Sequence, residues 1–181
     1  MNDIIQLTID VTEKRGLALL LTRDRARQSK TDLIGNLIIN GPLLIVSGDE
    51  WLPSFLLPRI VRGHTTGVKM ILDRLRTVRA STCFRLYDSL ANIPSKGEPV
   101  LVMDVLHTFY DGDLPLRHRL FRLRECCREL MRLAFYRPVI VMTQEQEGEE
   151  YEKFIPALSS IADKRFTLAP EPEPVKQPVL F

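Results

Sequence analysis

Residues 99–106 read PVLVMDVL, and this stretch decides the fold. A short apolar run that ends on an acidic residue is typical of a strand buried on both faces of a parallel sheet. A second such run, PVIVMTQ, occupies residues 138–144. Between them, residues 116–135 repeat apolar side chains at steps of four and three, which predicts a long amphipathic helix. A strand, a helix and a second strand in this order predict a βαβ unit with parallel strands.

The remaining segments continue the alternation of strands and helices. Apolar and β-branched runs predict strands at residues 4–11, 17–21, 43–48 and 75–80, and helical spacing predicts a helix at 82–92. An acidic loop at 145–153 is followed by a predicted short helix and a last strand. Pro58 is expected to kink or end the helix in which it lies. The chain is therefore predicted to be a single α/β domain, with helices flanking a mainly parallel sheet.

The composition is that of an ordinary globular domain. The chain has 181 residues, of which 45% are hydrophobic and 27% charged, and this is enough for one core. It has no run of about 18 apolar residues and no signal-peptide pattern. We therefore expect a cytoplasmic protein, or a nuclear one in a eukaryote, without membrane contact. Cys83, Cys126 and Cys127 have no ligand partners at zinc-site spacing, so they are predicted to be core residues and no metal site is expected.

Charge is unevenly distributed along the chain. Residues 51–142 contain 15 Lys+Arg and 8 Asp+Glu, whereas residues 143–181 contain 4 and 8. Arginine supplies most of the positive charge, and its guanidinium favours bidentate contacts with phosphate or carboxylate. The basic middle of the chain therefore indicates an anionic partner.

Several segments resemble the core of RecA-type recombinases, specifically the eukaryotic and archaeal strand-exchange branch with its paralogues. VLVMDVLHTF, RELMRLA and RPVIVMTQ resemble the second half of that core, and ILDRLRTVRASTCFRL and DLIGNLIINGPLLIVSG resemble segments upstream of it, so that the likeness spans residues 32–144. The resemblance implies a RecA-like core of the P-loop NTPase type over residues 32–168. It leaves residues 1–31 as an N-terminal extension with a strand or hairpin, and 169–181 as a Pro-rich tail that is predicted to be disordered.

The resemblance also assigns residues at two strand ends. Asp104 takes the place of the Walker B aspartate, because it ends the apolar run of residues 99–106. Thr143 and Gln144 take the place of the polar, sensor-like pair at the end of the next core strand.

The phosphate loop of this family reads GxxxxGK[ST]. Its backbone N–H groups hold the phosphates, its lysine contacts the β- and γ-phosphates, and its hydroxyl binds Mg²⁺. The resemblance places the first glycine at Gly48, and no strict GxxxxGK[ST] occurs anywhere in the chain. On this alignment proline replaces the second glycine, serine the lysine and phenylalanine the hydroxyl residue, while two acids add negative charge. The degenerate loop is thus formed by Gly48, Asp49, Glu50, Pro53, Ser54 and Phe55.

The strand that carries the catalytic glutamate in this family has no counterpart on the same alignment, because only HTTG separates Arg62–Gly63 from Val68. The resemblance therefore implies a protein that has lost ATP chemistry. It predicts no catalytic residue, no enzymatic activity and no cofactor.

Arginines recur along the predicted long helix. Arg124, Arg128 and Arg132 are four residues apart and form one stripe, with Arg117 and Arg119 near the start of the helix. Such a stripe predicts contact with nucleic acid, another anion or a protein partner. The alternative is a solvated helix face that nearby glutamates partly neutralise.

These features support one main functional hypothesis and two alternatives. The main hypothesis is a non-catalytic RecA-like accessory protein in DNA repair or recombination, which associates with a RecA-type ATPase or with itself. The first alternative is an ATP-binding or ATPase protein of the RecA family with an atypical loop. The second is a nucleic-acid-binding module that uses the Arg-rich helix.

Overall fold

The computed structural model describes residues 15–22, 27–48, 56–110 and 114–168. Its strands are β1 (Gly16–Thr22), β2 (Leu43–Ser47), β3 (Leu75–Arg79), β4 (Val100–Met103), β5 (Pro138–Gln144) and β6 (Lys164–Leu168). They form one sheet in the order β3-β2-β4-β5-β1-β6, and every neighbouring pair is parallel. The predicted single α/β domain with a parallel sheet is therefore confirmed.

Helices cover both faces of the sheet. One face carries α1 (Arg27–Asn40), α2 (Leu57–Arg62) and α3 (Val68–Leu72). The other carries α4 (Cys83–Asn92), a 3₁₀ turn (Val105–Phe109), α5 (Leu116–Tyr136) and α6 (Glu149–Ile161). Along β1, Ala18 and Leu20 point to the first layer and Leu17 and Leu19 to the second, as the period of a strand requires. Burial on both faces explains why the central strands are continuous apolar runs.

β1 lies in the interior of the sheet. It pairs with β5 from Gly16↔Pro138 to Thr22↔Gln144, and its other edge pairs with β6. The core therefore begins by Gly16, whereas the resemblance puts the end of an N-terminal extension at residue 31, which is inside α1. The strand predicted at residues 4–11 and the Pro-rich tail at 169–181 lie outside the described residues.

Two local predictions were wrong. The sequence predicts that Pro58 ends or kinks its helix, but this residue lies in the first turn of α2, where a missing N–H leaves no helical hydrogen bond unmade. The sequence also predicts a loop throughout residues 145–153, whereas α6 begins at Glu149. Acidic residues in a first turn interact favourably with the positive end of the helix dipole, and Glu149, Glu150 and Glu152 occupy that turn.

A buried arginine fixes the loop between α4 and β4. The side chain of Arg137 donates from Nε to the carbonyl of Ser95 at 3.0 Å, from Nη1 to that of Glu98 at 2.9 Å, and from Nη2 to that of Pro94. Arg137 is 2% exposed, and its burial lowers the pKa of the guanidinium below its ordinary value. Because one planar group satisfies three carbonyl oxygens, it holds the chain in place just before β4 begins.

Gly48 is held where the end of β2 meets the turn after β4. Its N–H donates to the carbonyl of Met103 at 2.9 Å. A Cβ at this position would lie 2.7 Å from the carbonyl oxygen of Asp104 and 2.9 Å from Cγ2 of Thr108. Both distances are shorter than side chains tolerate, so only glycine allows the two chain segments to approach this closely.

Replacing Gly48 by alanine is therefore expected to destabilise the fold by about 1–3 kcal/mol, the usual effect of forcing extra atoms into a packed site. Urea unfolding followed by circular dichroism measures the change. Gly41→Ala is the matched control, because a Cβ at Gly41 meets nothing within 4 Å. Equal destabilisation by both substitutions would show that the close approach at Gly48 is not the reason for its glycine.

The three cysteines are free and buried in the layer formed by α4, α5 and α6, which confirms their predicted place in the core. Burial raises the pKa of Cys127 to about 11 and shifts that of Cys126 in the same direction, so both thiols are protonated at neutral pH. Among the described residues, no helix is both long enough and apolar enough to cross a membrane.

Candidate functional site

The carboxyl ends of three neighbouring strands meet at one edge of the sheet. β5 lies between β4 and β1, so Asp104, which follows β4, lies at the same edge as Thr143 and Gln144 at the end of β5. The helices that follow β1 and β5, α1 and α6, cover opposite faces of the sheet. Where connections leave adjacent strands on opposite faces, a crevice forms in which open α/β sheets bind their ligands.

An ion pair crosses this edge. Lys30, the fourth residue of α1, places its Nζ 2.9 Å from Oδ1 of Asp104. The two side chains are only 12% and 10% exposed. A charge in such a position needs a partner, because an unpaired buried charge is strongly unfavourable. The pair therefore joins the segment after β1 to the segment after β4 across the end of β5.

The backbone of Asp104 is left-handed, with φ 51° and ψ 43°. Within the described ranges it is the only residue other than glycine with a positive φ. Its carbonyl accepts a hydrogen bond from the N–H of His107, which begins the 3₁₀ turn. Unfavourable backbone conformations of this kind cluster at functional sites, where surrounding contacts hold them in place.

A polar cavity of about 60 Å³ adjoins the ion pair, with room for a few water molecules or a small ion. Tyr110 also lines this cavity, and its hydroxyl is buried without a hydrogen-bond partner among the described residues. Burial, with smaller contributions from Tyr151 and Glu150, raises the pKa of Tyr110 to about 12. The hydroxyl therefore stays protonated at neutral pH. The cavity is lined by Lys30, Asp104, His107, Tyr110, Thr143, Gln144 and Gln146.

The structure thus brings Asp104, Thr143 and Gln144 together, as the sequence predicts, and adds Lys30, which sequence reasoning missed. A signal for it exists. Lys30-Thr31 matches the last two positions of GxxxxGK[ST], whereas serine (Ser29) replaces the second glycine and aspartate (Asp24) the first. The segment also follows a strand and lies in a helix, as the motif requires, because it comes after β1 and in the first turns of α1. Thr31 is fully buried.

Gly48, the first residue of the predicted degenerate loop, lies beside the end of β4 and not beside β1. Gly48 ends β2, and its contacts are with the backbone around Asp104, as described above. The loop's other members, Asp49, Glu50, Pro53, Ser54 and Phe55, lie outside the described residues. β2 is separated from β1 by β4 and β5. Lys30 therefore follows β1, whereas Gly48 follows β2, which is not a neighbour of β1.

The predicted arginine stripe divides into buried and exposed members. Arg119 is 5% exposed and holds Glu150 with both terminal nitrogens, at 2.9 and 2.5 Å, while also donating to the carbonyl of Phe109. This contact lowers the pKa of Glu150. Arg132 donates to the carbonyls of Leu90 and Ile93 at the end of α4. These two arginines hold the fold together, and the exposed members are Arg117, Arg124 and Arg128.

No group of three or more His, Cys, Asp or Glu side chains forms a metal site in the part of the chain that the structure describes. Asp104, Thr143 and Gln144, whose side chains all carry oxygen atoms, nevertheless line the same cavity. Mg²⁺ is commonly held by one or two carboxylates together with the phosphates of a bound substrate. The donors at the cavity therefore fit a cation that arrives with its ligand, and not a closed protein cage.

Neither a protein-family model nor a curated protein sequence matches this chain. Function is therefore inferred from the Lys30–Asp104 site itself.

Proposed function

We propose that the protein binds a nucleoside triphosphate at the edge where β1, β4 and β5 end. The observation that carries this proposal is the ion pair between Lys30 and Asp104. It combines a lysine near the start of a helix that follows a central strand with an acid that follows a second central strand. A phosphate-binding lysine and a metal-binding aspartate are required at these two places in a P-loop site.

Lys30 supplies the positive charge for the phosphates. It lies in the first turns of α1, whose N-terminal end carries the positive end of the helix dipole. Asp104 accepts from the ammonium group of Lys30 at 2.9 Å. An incoming phosphate competes with Asp104 for the same donor, so binding replaces one anionic partner of Lys30 by another.

Asp104 becomes available when Lys30 turns to the phosphate. Its carboxylate, with Thr143 and Gln144 beside it, offers the oxygen ligands that Mg²⁺ prefers. When bound, the cation neutralises charge on the phosphates.

This assignment changes what the RecA resemblance implies. If β1 is the phosphate strand, β2 becomes the second core strand, after which that family places its glutamate. Asp49 and Glu50 follow β2 in the sequence, although both lie outside the described residues. The loss of ATP chemistry inferred from Gly48 as the first glycine is therefore no longer required, and the proposal corresponds to an atypical ATP-binding protein of the RecA type.

Association with a RecA-type ATPase or with itself stays a second proposal. It is supported by large apolar side chains on the outer surface of α5, where Phe121 is 56% and Phe135 70% exposed. Such side chains are common where proteins bind each other. The setting in DNA repair or recombination stays a prediction of the resemblance.

One measurement separates the two proposals. Titration of the full chain with a fluorescent ATP analogue is expected to give saturable binding with a Kd of about 1–100 µM in the presence of Mg²⁺. The affinity is expected to fall when Mg²⁺ is removed, because the phosphate charges then face Asp104 without a cation. Lys96→Ala, an exposed lysine in the loop before β4, is the control and should bind like the wild type. Absence of saturable binding up to millimolar nucleotide would overturn the nucleotide proposal. Association with a protein partner, as in the main hypothesis from the sequence, would then be the remaining proposal.

A further inference from the structure

A groove of about 510 Å³ runs between α5 and α6, on the face of the sheet opposite α1. Its floor is apolar and its edges are basic. The floor consists mainly of Leu120, Cys127, Met131, Pro156, Ala157 and Ile161. Met131 is 45% exposed, so none of the described residues covers this part of the floor.

The basic edge of the groove carries arginines without an anionic partner among the described residues. Arg124 and Arg128 are exposed and one turn apart on α5, and neither makes an ion pair with any residue of the described ranges. Lys153 lies at the α6 side of the groove and is paired with Glu149 at 3.2 Å. A segment that fills the groove should therefore carry apolar side chains for the floor and carboxylates for the two arginines.

We propose that this groove binds the chain's own residues 169–181. Their sequence, APEPEPVKQPVLF, has carboxylates at Glu171 and Glu173 and an apolar group at Val179, Leu180 and Phe181. Four prolines restrict the backbone and favour an extended polyproline conformation, which lowers the entropy lost on docking. The segment thus offers, in one short stretch, both kinds of side chain that the groove requires.

The geometry of the fold allows this segment to reach the groove. β6 ends at Leu168 at the carboxyl edge of the sheet, and α5 and α6 begin at that same edge because each follows a parallel strand. The groove opens there, beside Leu120 and Lys153. At about 3.1 Å per residue, the segment after Leu168 extends roughly 40 Å. The α5 wall between Leu120 and Met131 is only about 16 Å long at 1.5 Å per residue.

Trypsin provides a test with the full chain, because Lys176 is a cleavage site within the proposed segment. The mass of the intact protein gives the initial rate of cleavage after Lys176. This rate is expected to be slow in the wild type, because the bound segment is protected from the protease. Arg124→Glu combined with Arg128→Glu should raise this rate at least about tenfold, since it reverses the complementary charge. Arg117→Glu with Arg85→Glu is the control, because both arginines are exposed and neither lines the groove.

Reversing the charges of the segment as well as those of the groove tests whether the two pair directly. Glu171→Lys with Glu173→Lys should also accelerate cleavage after Lys176, and the added lysines precede prolines, where trypsin does not cut. Combining these changes with Arg124→Glu and Arg128→Glu should restore protection, the expected sign of direct coupling. Equal rates in all variants would overturn the proposal. Protection that increases with protein concentration would also overturn it, because a second copy would then supply the segment.

Discussion

Lys30→Met is expected to weaken nucleotide binding by at least about 100-fold, equivalent to about 2.8 kcal/mol of binding free energy. The substitution keeps much of the apolar length of the side chain but removes the ammonium group that receives the phosphate. It also leaves the carboxylate of Asp104 without its partner at 2.9 Å, facing the incoming anion. The same analogue titration measures the effect. Lys96→Met, which changes an exposed lysine, should leave the affinity unchanged.

A stability measurement distinguishes binding from a structural role of the ion pair. Lys30→Met should lower the free energy of unfolding by about 2–4 kcal/mol, because Asp104 is 10% exposed and would be left charged and unpaired. Asp104→Asn in the same chain should recover much of this loss, since asparagine is neutral and tolerates the left-handed backbone at this position. Nucleotide binding should stay at least about 100-fold weaker than in the wild type in the double variant. Recovery of both stability and binding would mean that Lys30 only neutralises Asp104.

Arg137→Met is expected to destabilise the fold by about 3–5 kcal/mol, the range found when a buried charged group that satisfies several partners is removed. The carbonyls of Pro94, Ser95 and Glu98 would lose their donor while the loop stays packed against β4. Arg137→Lys should recover only part of the loss, because an ammonium group cannot reproduce the planar fork of donors. Urea unfolding at neutral pH gives the values for both variants.

The control for Arg137 is Arg117→Met on the exposed surface of α5, which should change the free energy of unfolding by no more than about 0.5 kcal/mol. A loss of less than about 1 kcal/mol for Arg137→Met would show that water satisfies the three carbonyls equally well.

The elements that sequence could predict are those whose signal is local. Apolar runs closed by a polar residue identify β4 and β5, and the spacing of apolar residues identifies α5, because each pattern depends on burial of one element. Strand order depends instead on contacts between distant segments. The placement of β1 between β5 and β6 cannot be predicted from residues 16–22 alone. The resemblance therefore leaves this strand in an extension of the core.

The same limit affects the choice between the two candidates for a phosphate loop. Gly48 follows an apolar run, and glycine after a strand is what the motif requires, so sequence favours it. Lys30 is preceded by Ser29 in place of glycine, which weakens the pattern to a Lys-Thr pair that is common by chance. Only the proximity of Lys30 to Asp104, 74 residues further along the chain, distinguishes the two loops. For the arginines, helical spacing gives the stripe correctly but cannot say that Arg119 and Arg132 are occupied by partners from other elements.

The central strand β1 is synthesised long before the two strands with which it pairs. Its partners begin at Pro138 and Lys164, and these are the last two of the described strands to be synthesised. At about 5–20 residues per second, the apolar segment 17–21 is exposed for roughly 6–24 seconds before the first of them is made. Long-range pairing of this kind slows folding and leaves strand edges open to aggregation. The middle of the described sheet is therefore the last part that can close during synthesis.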